Sequence, residues 1–447
     1  MKLFLVLFFS TFTLFGQNIK GIVLDTLSNK PLENVHVYLN NSTNGTITNK
    51  KGAFNLKSEI EKSDTLHFSI IGYSTKKLTF SELQSLNNII SLYKKVESLK
   101  EVHITANKEL QDKLRYKKLA SLNVGVHSFA STLIDSKIYV IGGNASKETN
   151  AAKKTLDEMG NNPEAKVEDI IKGLQKYSSW DVYKGDLKIY DILNDTWLKS
   201  DLKFRKRTNS TISYSNNRLY VLGGKRQSVN GKYDYLDDKI EIYDLQDKTI
   251  TVDDTNPHQA VNFESFVYNN NIIVMGGSIK IDKKGKKTFT NKSHIYNLET
   301  GYWYELKNML SAKETKGVLI NNKIYLVGGF NNEPLSDIES YNISTGQWTK
   351  EGDLIYGIKK PALAYNDNLI YIFDNGKLLT YNIITKTLNE YHIGLELINS
   401  ELYYYNEKLY LLGGYIKSEF SKTPSSKLYS IDLNEFENTR IMNSKSL

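Results

Sequence analysis

Charged side chains recur at one register of this sequence. Counted back from a repeated apolar run that ends in Gly-Gly, Glu264, Lys316 and Glu401 occupy the same position, and Lys360 stands one position earlier in its own repeat. If these groups converge, two kinds of chemistry open. A carboxylate beside a cation can take a proton as a general base. The same groups can instead hold a small polar ligand such as a sugar acid or a peptide. Mutual pairing that only lines a wet channel is the plainer reading. Trp180, Tyr183, Tyr233, Tyr235, Phe330 and Tyr415 are expected near the same rim. Their flat faces would suit stacking on sugars or side chains, although the chain is Tyr-rich throughout.

Other chemistries find no support. The seven histidines form no His-Glu-x-x-His or similar ligand pair, and there is no Gly-x-Ser-x-Gly elbow and no phosphate-binding glycine loop. His127 begins a strand and could reach a channel, but a packed imidazole is the simpler account. The chain has no cysteine, which excludes disulfides, a thiol nucleophile and thiolate metal sites. No metal and no cofactor is expected.

The elements that would position these groups repeat six times. Apolar runs such as Lys323-Ile324-Tyr325-Leu326-Val327-Gly328-Gly329 recur at 137–143, 218–224, 271–277, 368–374 and 408–414, with Phe373-Asp374 where the fifth glycine pair belongs. Each is preceded by a strand-like segment and a short turn such as Asn321-Asn322, and followed by a Tyr-Asp or Tyr-Asn pair, except in the sixth repeat, which has Ile431-Asp432. In the fourth repeat the strands read a, Lys316 to Ile320; b, Lys323 to Val327; c, Ile338 to Asn342; and d, Gln347 to Lys350. A period of this length indicates a repeat architecture.

The repeat resembles the kelch motif. The matching residues are the glycine pairs, Tyr190-Asp191 before Trp197, Tyr296-Asn297 before Trp303, and Tyr341-Asn342 before Trp348, over about residues 113 to 438. The resemblance implies an all-β fold, a β-propeller with six four-stranded blades. Arg207 falls where kelch repeats often carry an arginine on the d–a loop, so it joins the expected mouth residues. Some kelch propellers are copper-radical oxidases built on a Tyr–Cys crosslink, which a chain without cysteine cannot make. Others resemble sialic-acid mutarotases. On that resemblance Arg207 with Glu264 or Glu401 would form a catalytic pair, with the carboxylate as base.

A propeller must close. The segment 115–120 reads as a strand d for the sixth blade, with 438–442 as its competitor. The long connections all lie between strands b and c, at 144–185, 225–238, 278–292 and 415–426, which places them on the face shared with the d–a loops. The first contains a helical insertion at about 146–178. Asn161-Asn162-Pro163-Glu164 is a helix start, and Val167, Ile170, Ile171 and Leu174 follow at helical spacing. A helical hairpin with such a stripe must bury it, by packing over the propeller mouth as a lid, against a partner protein, or as a structural plug.

Residues 1–17 read as a secretory signal and 18–94 as a small β-sandwich. The latter resembles the carboxypeptidase-regulatory-like domain of exported Bacteroidetes proteins on Gly21, Asp25, Pro31-Leu32, Val35, Val37, Thr48, Gly52, Phe54, Leu56 and Ile71-Gly72-Tyr73. The resemblance implies a transthyretin-like fold without peptidase chemistry. Residues 95–112 form a linker, and the propeller domain occupies 113–447.

The expectation is an exported protein, in the periplasm or at the surface of a Gram-negative cell, without a transmembrane segment after signal removal, and a monomer. Its formal charge of +8 is dispersed rather than striped, which argues against nucleic acid. Its expected role is recognition of a glycan or an envelope or extracellular protein on the b–c/d–a face. The alternatives are a mutarotase or epimerase and a structural envelope module.

Overall fold

The computed structural model describes residues 18–26, 28–39, 45–57, 64–70, 72–94, 109–160, 166–178, 181–231, 233–282 and 286–447. The chain divides into two compact units, 1–108 and 109–447. The expected signal, the stretch 95–108, the helix start at 161–164 and Trp180 lie outside the described residues.

In the first unit, Asn18–Asp25 pairs with Ala53–Lys57 and Ile89–Leu92, while His36–Leu39 pairs with Gly45–Ile47 and Thr65–Ser69, which also pairs with Lys76–Thr79. Val23, Val37, Phe54, Leu66 and Phe68 alternate inward and fill the core. The polar residues of the resemblance hold turns here. Asp25 accepts hydrogen bonds from the Ser28 amide and from the Tyr73 hydroxyl, both within 2.8 Å. A Cβ on Gly52, at φ +70°, would lie 2.5 Å from the Val23 carbonyl oxygen.

The second unit contains six antiparallel sheets of at least four strands among the described residues, of the kind kelch blades require. Their first strands, called a, are Ala130–Ile134, Thr211–Ser215, Glu264–Tyr268, Gly317–Ile320, Ala362–Asn366 and Glu401–Tyr405. The b strands are Lys137–Ile141, Arg218–Leu222, Asn271–Met275, Lys323–Val327, Leu369–Asp374 and Lys408–Leu412. Strands b are apolar because both their faces pack. Ile138, Leu219, Ile272, Ile324, Ile370 and Leu409 are all fully buried, in clusters shared between neighbouring sheets.

The Tyr-Asp/Asn signature has a local cause. Tyr190, Tyr296 and Tyr341 on strands c stand directly opposite Trp197, Trp303 and Trp348 on strands d, with ring centroids 4.7–5.1 Å apart. The next residue caps the c–d turn. Asn342 Oδ1 accepts from the amides of Ser344 and Thr345, and Asp191, Asp244, Asn297 and Asn382 repeat the arrangement.

The sixth sheet is completed from the N-terminal side. Lys117–Lys118 pairs with Leu428–Asp432, and the Tyr403 hydroxyl reaches Ser131 Oγ of the first sheet at 2.6 Å. The C-terminal strand Asn443–Ser446 instead adds a fifth strand to the fifth sheet, beside Thr387–His392. Two details differ from the sequence reading. In the fourth sheet, strands c and d run as Glu333–Asn342 and Gln347–Ile358, longer than expected because register shifts let them continue past Gly352. In the fifth sheet, Phe373 and Asp374 stay in strand b, and the chain turns at Asn375-Gly376, both at positive φ.

Candidate functional site

The b–c connections do share an end with the d–a loops, and backbone pairing ties them together. His127 bridges Asn144, Thr208 bridges Lys225, Val261 bridges Ser278, Glu314 bridges Phe330, and Ile398 bridges Tyr415. In each case the residue after the glycine pair meets the loop entering strand a. The glycine pairs allow this close approach: a Cβ on Gly329, at φ +119°, would lie 2.4 Å from the Glu314 carbonyl oxygen. The excursions then form a rim. Hairpins rise at Lys225–Gln227 with Asp234–Leu236, at Ser278–Ile281 with Lys287–Phe289, and at Tyr415–Lys417 with Ser421–Pro424, where Glu148–Thr149 joins as a third strand.

Two connected layers of polar groups lie inside this rim. The deeper one is a cavity of about 210 Å³ reached by strands a of all six sheets. Glu264, Lys316 and Glu401 meet there as the shared register predicts. Lys316 Nζ lies 3.0 Å from both Glu401 carboxylate oxygens and 3.2 Å from Glu264 Oε2. Burial raises the Glu264 carboxyl above the usual range, against the pull of Lys316. Burial alone would lower the Lys316 ammonium, yet Glu264 and Glu401 together hold it above its ordinary value. The cation therefore clamps both carboxylates.

The outer layer is the mouth. Its wall includes His127, Glu148, Lys287, Glu314, Lys359, Lys360, Tyr415 and Lys422. Lys422 holds Glu148 at 2.7 Å, and Lys287 pairs with Glu314. Strand pairing places Ala362 opposite Phe373, so Lys360 stands two positions before the register of Glu264, level with Asn209, Asn262 and Asn399. These three asparagines adopt φ of 55–59°. Asn209 and Asn262 continue a chain of amide-to-carbonyl bonds from loop to loop: Asn209 N to Ser128 O, Asn262 N to Asn209 O, Thr315 N to Asn262 O. Burial, then the nearby Lys316, push the Lys360 ammonium down to about 8. His127 packs edge-on against Tyr415 with centroids 5.3 Å apart, and burial, with Lys360 next, lowers its imidazole to about 4.

Arg207 does not reach the mouth. It is fully buried, with Nε 3.4 Å from Asp237 and its guanidinium on Glu241 and on the carbonyls of Val221 and Gly223, each 3.3 Å away. It is a brace between the d–a loop and strand c, and no carboxylate of the cavity is its partner. The brace recurs. Lys313 pairs with Glu339 at 2.7 Å at the corresponding place in the fourth sheet. In the third sheet, His258 bonds the Gly276 carbonyl at 2.8 Å and meets His294 Nδ1 at 2.9 Å. Tyr233 also stands apart, exposed in the hairpin of the second sheet, while Tyr415 lines the mouth.

The helical insertion forms α-helices at Ala151–Met159 and Val167–Tyr177, joined where Gly173 abuts the buried Thr155. The described residues do not cover that stripe, with Val167 71 % and Ile171 48 % exposed, so it is neither a lid packed over the mouth nor a plug. The helices pack through Gly173 and through the Tyr177 hydroxyl on Glu158, which uses another face. Neither helix lines the mouth. The first leans on the sixth-sheet hairpin, with Lys153 3.1 Å from Glu419 and the Asn150 amide on the Phe420 carbonyl.

Family comparison agrees with this architecture. The CarboxypepD_reg-like domain matches residues 19–104, and the KLHDC2/KLHL20/DRC7 Kelch-repeats domain matches residues 176–373. The chain carries a carboxypeptidase-regulatory-like domain followed by a kelch-repeat domain. Human Kelch-like protein 38 is 21% identical over 225 residues, covering 47% of this chain and 37% of that protein. Human Kelch repeat and BTB domain-containing protein 8 is 22% identical over 233 residues, covering 50% of this chain and 34% of that protein. Kelch-like protein 40 of Xenopus laevis is 24% identical over 161 residues, covering 36% of this chain and 25% of that protein. The chain spans 15% to 37% of the length of the curated relatives it matches. Among the described residues, no helix of the kelch domain or its companion is long and apolar enough to cross a membrane, and no cluster of three or more His, Cys, Asp or Glu could hold a metal ion.

Sequence reasoning missed Lys359 and the asparagine ring. Asn209, Asn262 and Asn399 each stand fourteen residues before the first glycine of their pair, so the signal was present in the repeat itself. The fifth repeat lacks the glycine pair, which hid the true level of Lys360 and, with it, its neighbour.

Proposed function

We propose that the six sheets form a closed six-bladed propeller whose b–c/d–a face recognises a protein partner. The observation that carries this reading is the gathering of the long excursions on the end where the mouth opens, each tied to a d–a loop. A rigid scaffold that varies only its loops on one face is built for binding. Kelch-repeat domains generally serve as protein-binding scaffolds, which favours a protein over a glycan. Export of the chain rests on residues 1–17 alone.

The mutarotase reading has less behind it. Glu264 and Glu401 share a cavity, but Lys316 engages both, and Arg207 is committed elsewhere. Anomer exchange of a sugar acid, followed by NMR and lost in Glu264→Gln and Glu401→Gln, would revive it.

The test of the binding face is cross-linking of the full chain to its bound partner, read by mass spectrometry. Adducts are expected within 225–236, 278–289 and 415–424. Adducts concentrated on the opposite a–b turns, at Asn216-Asn217 or Asn269-Asn270, would contradict it.

A further inference from the structure

We propose that the mouth cavity is an oxyanion site in which Lys359 and Lys360 act as the cation pair; this rests on reading the b–c/d–a face as the binding face. The mouth holds four ammonium groups against two carboxylates. Both carboxylates are already engaged, Glu148 by Lys422 and Glu314 by Lys287. Lys359 and Lys360 are left over. Among the described residues, neither has a carboxylate within 4.0 Å. Lys359 Nζ sits 3.9 Å above the Phe330 ring, a contact that orients the ammonium without neutralising it. Lys360 Nζ reaches Asn262 Oδ1 at 3.5 Å.

The two lysines are also held in place. Pro361 follows Lys360 and keeps its backbone out of the helical region. Lys359 is exposed at the rim and Lys360 is half-buried; partly burying the Lys360 cation without a counter-charge is costly, and an arriving anion would lift that cost. The tuning of the groups agrees with the geometry. Lys359 is lowered from its ordinary value by burial and then by Lys287. Around Lys360 stand Lys316, Glu401, Glu314, Glu264 and His127, and the balance still disfavours its charge. Lys360 lines the inner cavity as well as the mouth, while the other lysine of the inner cavity, Lys316, is shared by two carboxylates. The group recognised is a carboxylate or a phosphate that enters from the rim. A protein segment bearing acidic side chains and a free oxyanion share this chemistry.

The probes are fluorescent hexaglutamate, read by anisotropy on the full chain at low salt, and inorganic phosphate as competitor. Hexaglutamate is expected to bind, to weaken as salt rises, and to lose about tenfold in affinity in Lys359→Met and in Lys360→Met, the loss of one charge-assisted contact each. Lys360→Arg, which keeps the charge, is expected to retain most of the binding. Lys408→Met, at a partly exposed lysine that pairs with Asp432 at the opposite end of the sixth sheet, is expected to change nothing. Phosphate that displaces hexaglutamate at matching affinity supports the site and assigns it to a free oxyanion. Much weaker phosphate supports it and assigns it to an acidic protein segment. Affinities indifferent to both methionine variants, with urea midpoints showing them folded, would overturn the proposal, as would failure of both probes to bind. Partner cross-links on the rim in a complex indifferent to Lys359→Met would sink the oxyanion site and leave the binding face standing. Cross-links on the opposite turns would remove both.

Discussion

The two charged layers along the axis of the kelch domain are built from similar residues and end in different states. In the inner cavity, Lys316 lies between Glu264 and Glu401, and every charge of that register has a partner. At the mouth, a few residues earlier in the same chain segments, Lys359 and Lys360 have no carboxylate within 4.0 Å among the described residues. The deeper layer is a joint that ties the third, fourth and sixth sheets together. The outer layer holds charge in reserve. The buried braces extend the same contrast outward, since Arg207 with Glu241 and Lys313 with Glu339 close the d–a loops against strands c. Ion pairing, rather than burial, thus separates cations that hold the fold from cations available to a ligand.

Substitutions can break that contrast, beginning with the braces. Arg207→Met leaves Glu241 buried without its cation, while Asp237 keeps Arg205 at 3.2 Å and Arg226 at 3.3 Å; about 3 kcal/mol of stability should be lost, read as a drop in urea midpoint at neutral pH. Lys316→Met leaves Glu264 and Glu401 facing one another, and a loss of about 3 kcal/mol is expected. That loss should shrink in mild acid, where one carboxyl can take up a proton.

The third sheet sharpens the comparison, because it replaces the ion-paired brace with His258 and His294. Burial lowers His258 from 6.5 to about 4, with His294 adding to the shift, and burial also lowers His294, which faces Glu305, Lys292 and Trp303. A depressed imidazole binds its proton in the unfolded chain first. The stability it contributes is therefore complete above pH 6.5 and is lost as pH falls towards 4. A loss of about 2 kcal/mol between these limits is expected, and His258→Gln should flatten that slope in urea midpoints measured at pH 7 and pH 5. At the small end, Lys359→Met should shift stability by less than about 0.5 kcal/mol. A large loss there would make Lys359 structural and erase the distinction between the layers.

How far the sequence could be read depended on what each residue reports. Glu264, Lys316 and Glu401 were legible because strand a begins at a fixed distance from the glycine pair, and strands a converge. The turn residues of the small β-sandwich, Asp25 and Gly52, were legible for a similar reason, since a turn's chemistry is local. Arg207 was placed on the correct loop and given the wrong task. Register says which loop a side chain occupies, but only three-dimensional packing says whether it turns towards the axis or back against strand c. The exposed stripe of Val167 and Ile171 failed differently: periodicity gave the helix, while Gly173 and Thr155 decided which face it buries. Lys359 stayed hidden because the fifth repeat replaces its glycine pair with Phe373-Asp374 and lengthens strand b.

The contrast between satisfied and unsatisfied cations is tested most directly by titrating the lysines themselves. NMR of the full chain with isotope-labelled lysine side chains, assigned through Lys316→Arg and Lys360→Arg, follows each ammonium with pH. Lys360 is expected to lose its proton near pH 8 while Lys316 stays charged beyond the ordinary lysine range. Lys360 titrating together with the exposed lysines, or Lys316 titrating before it, would contradict the account.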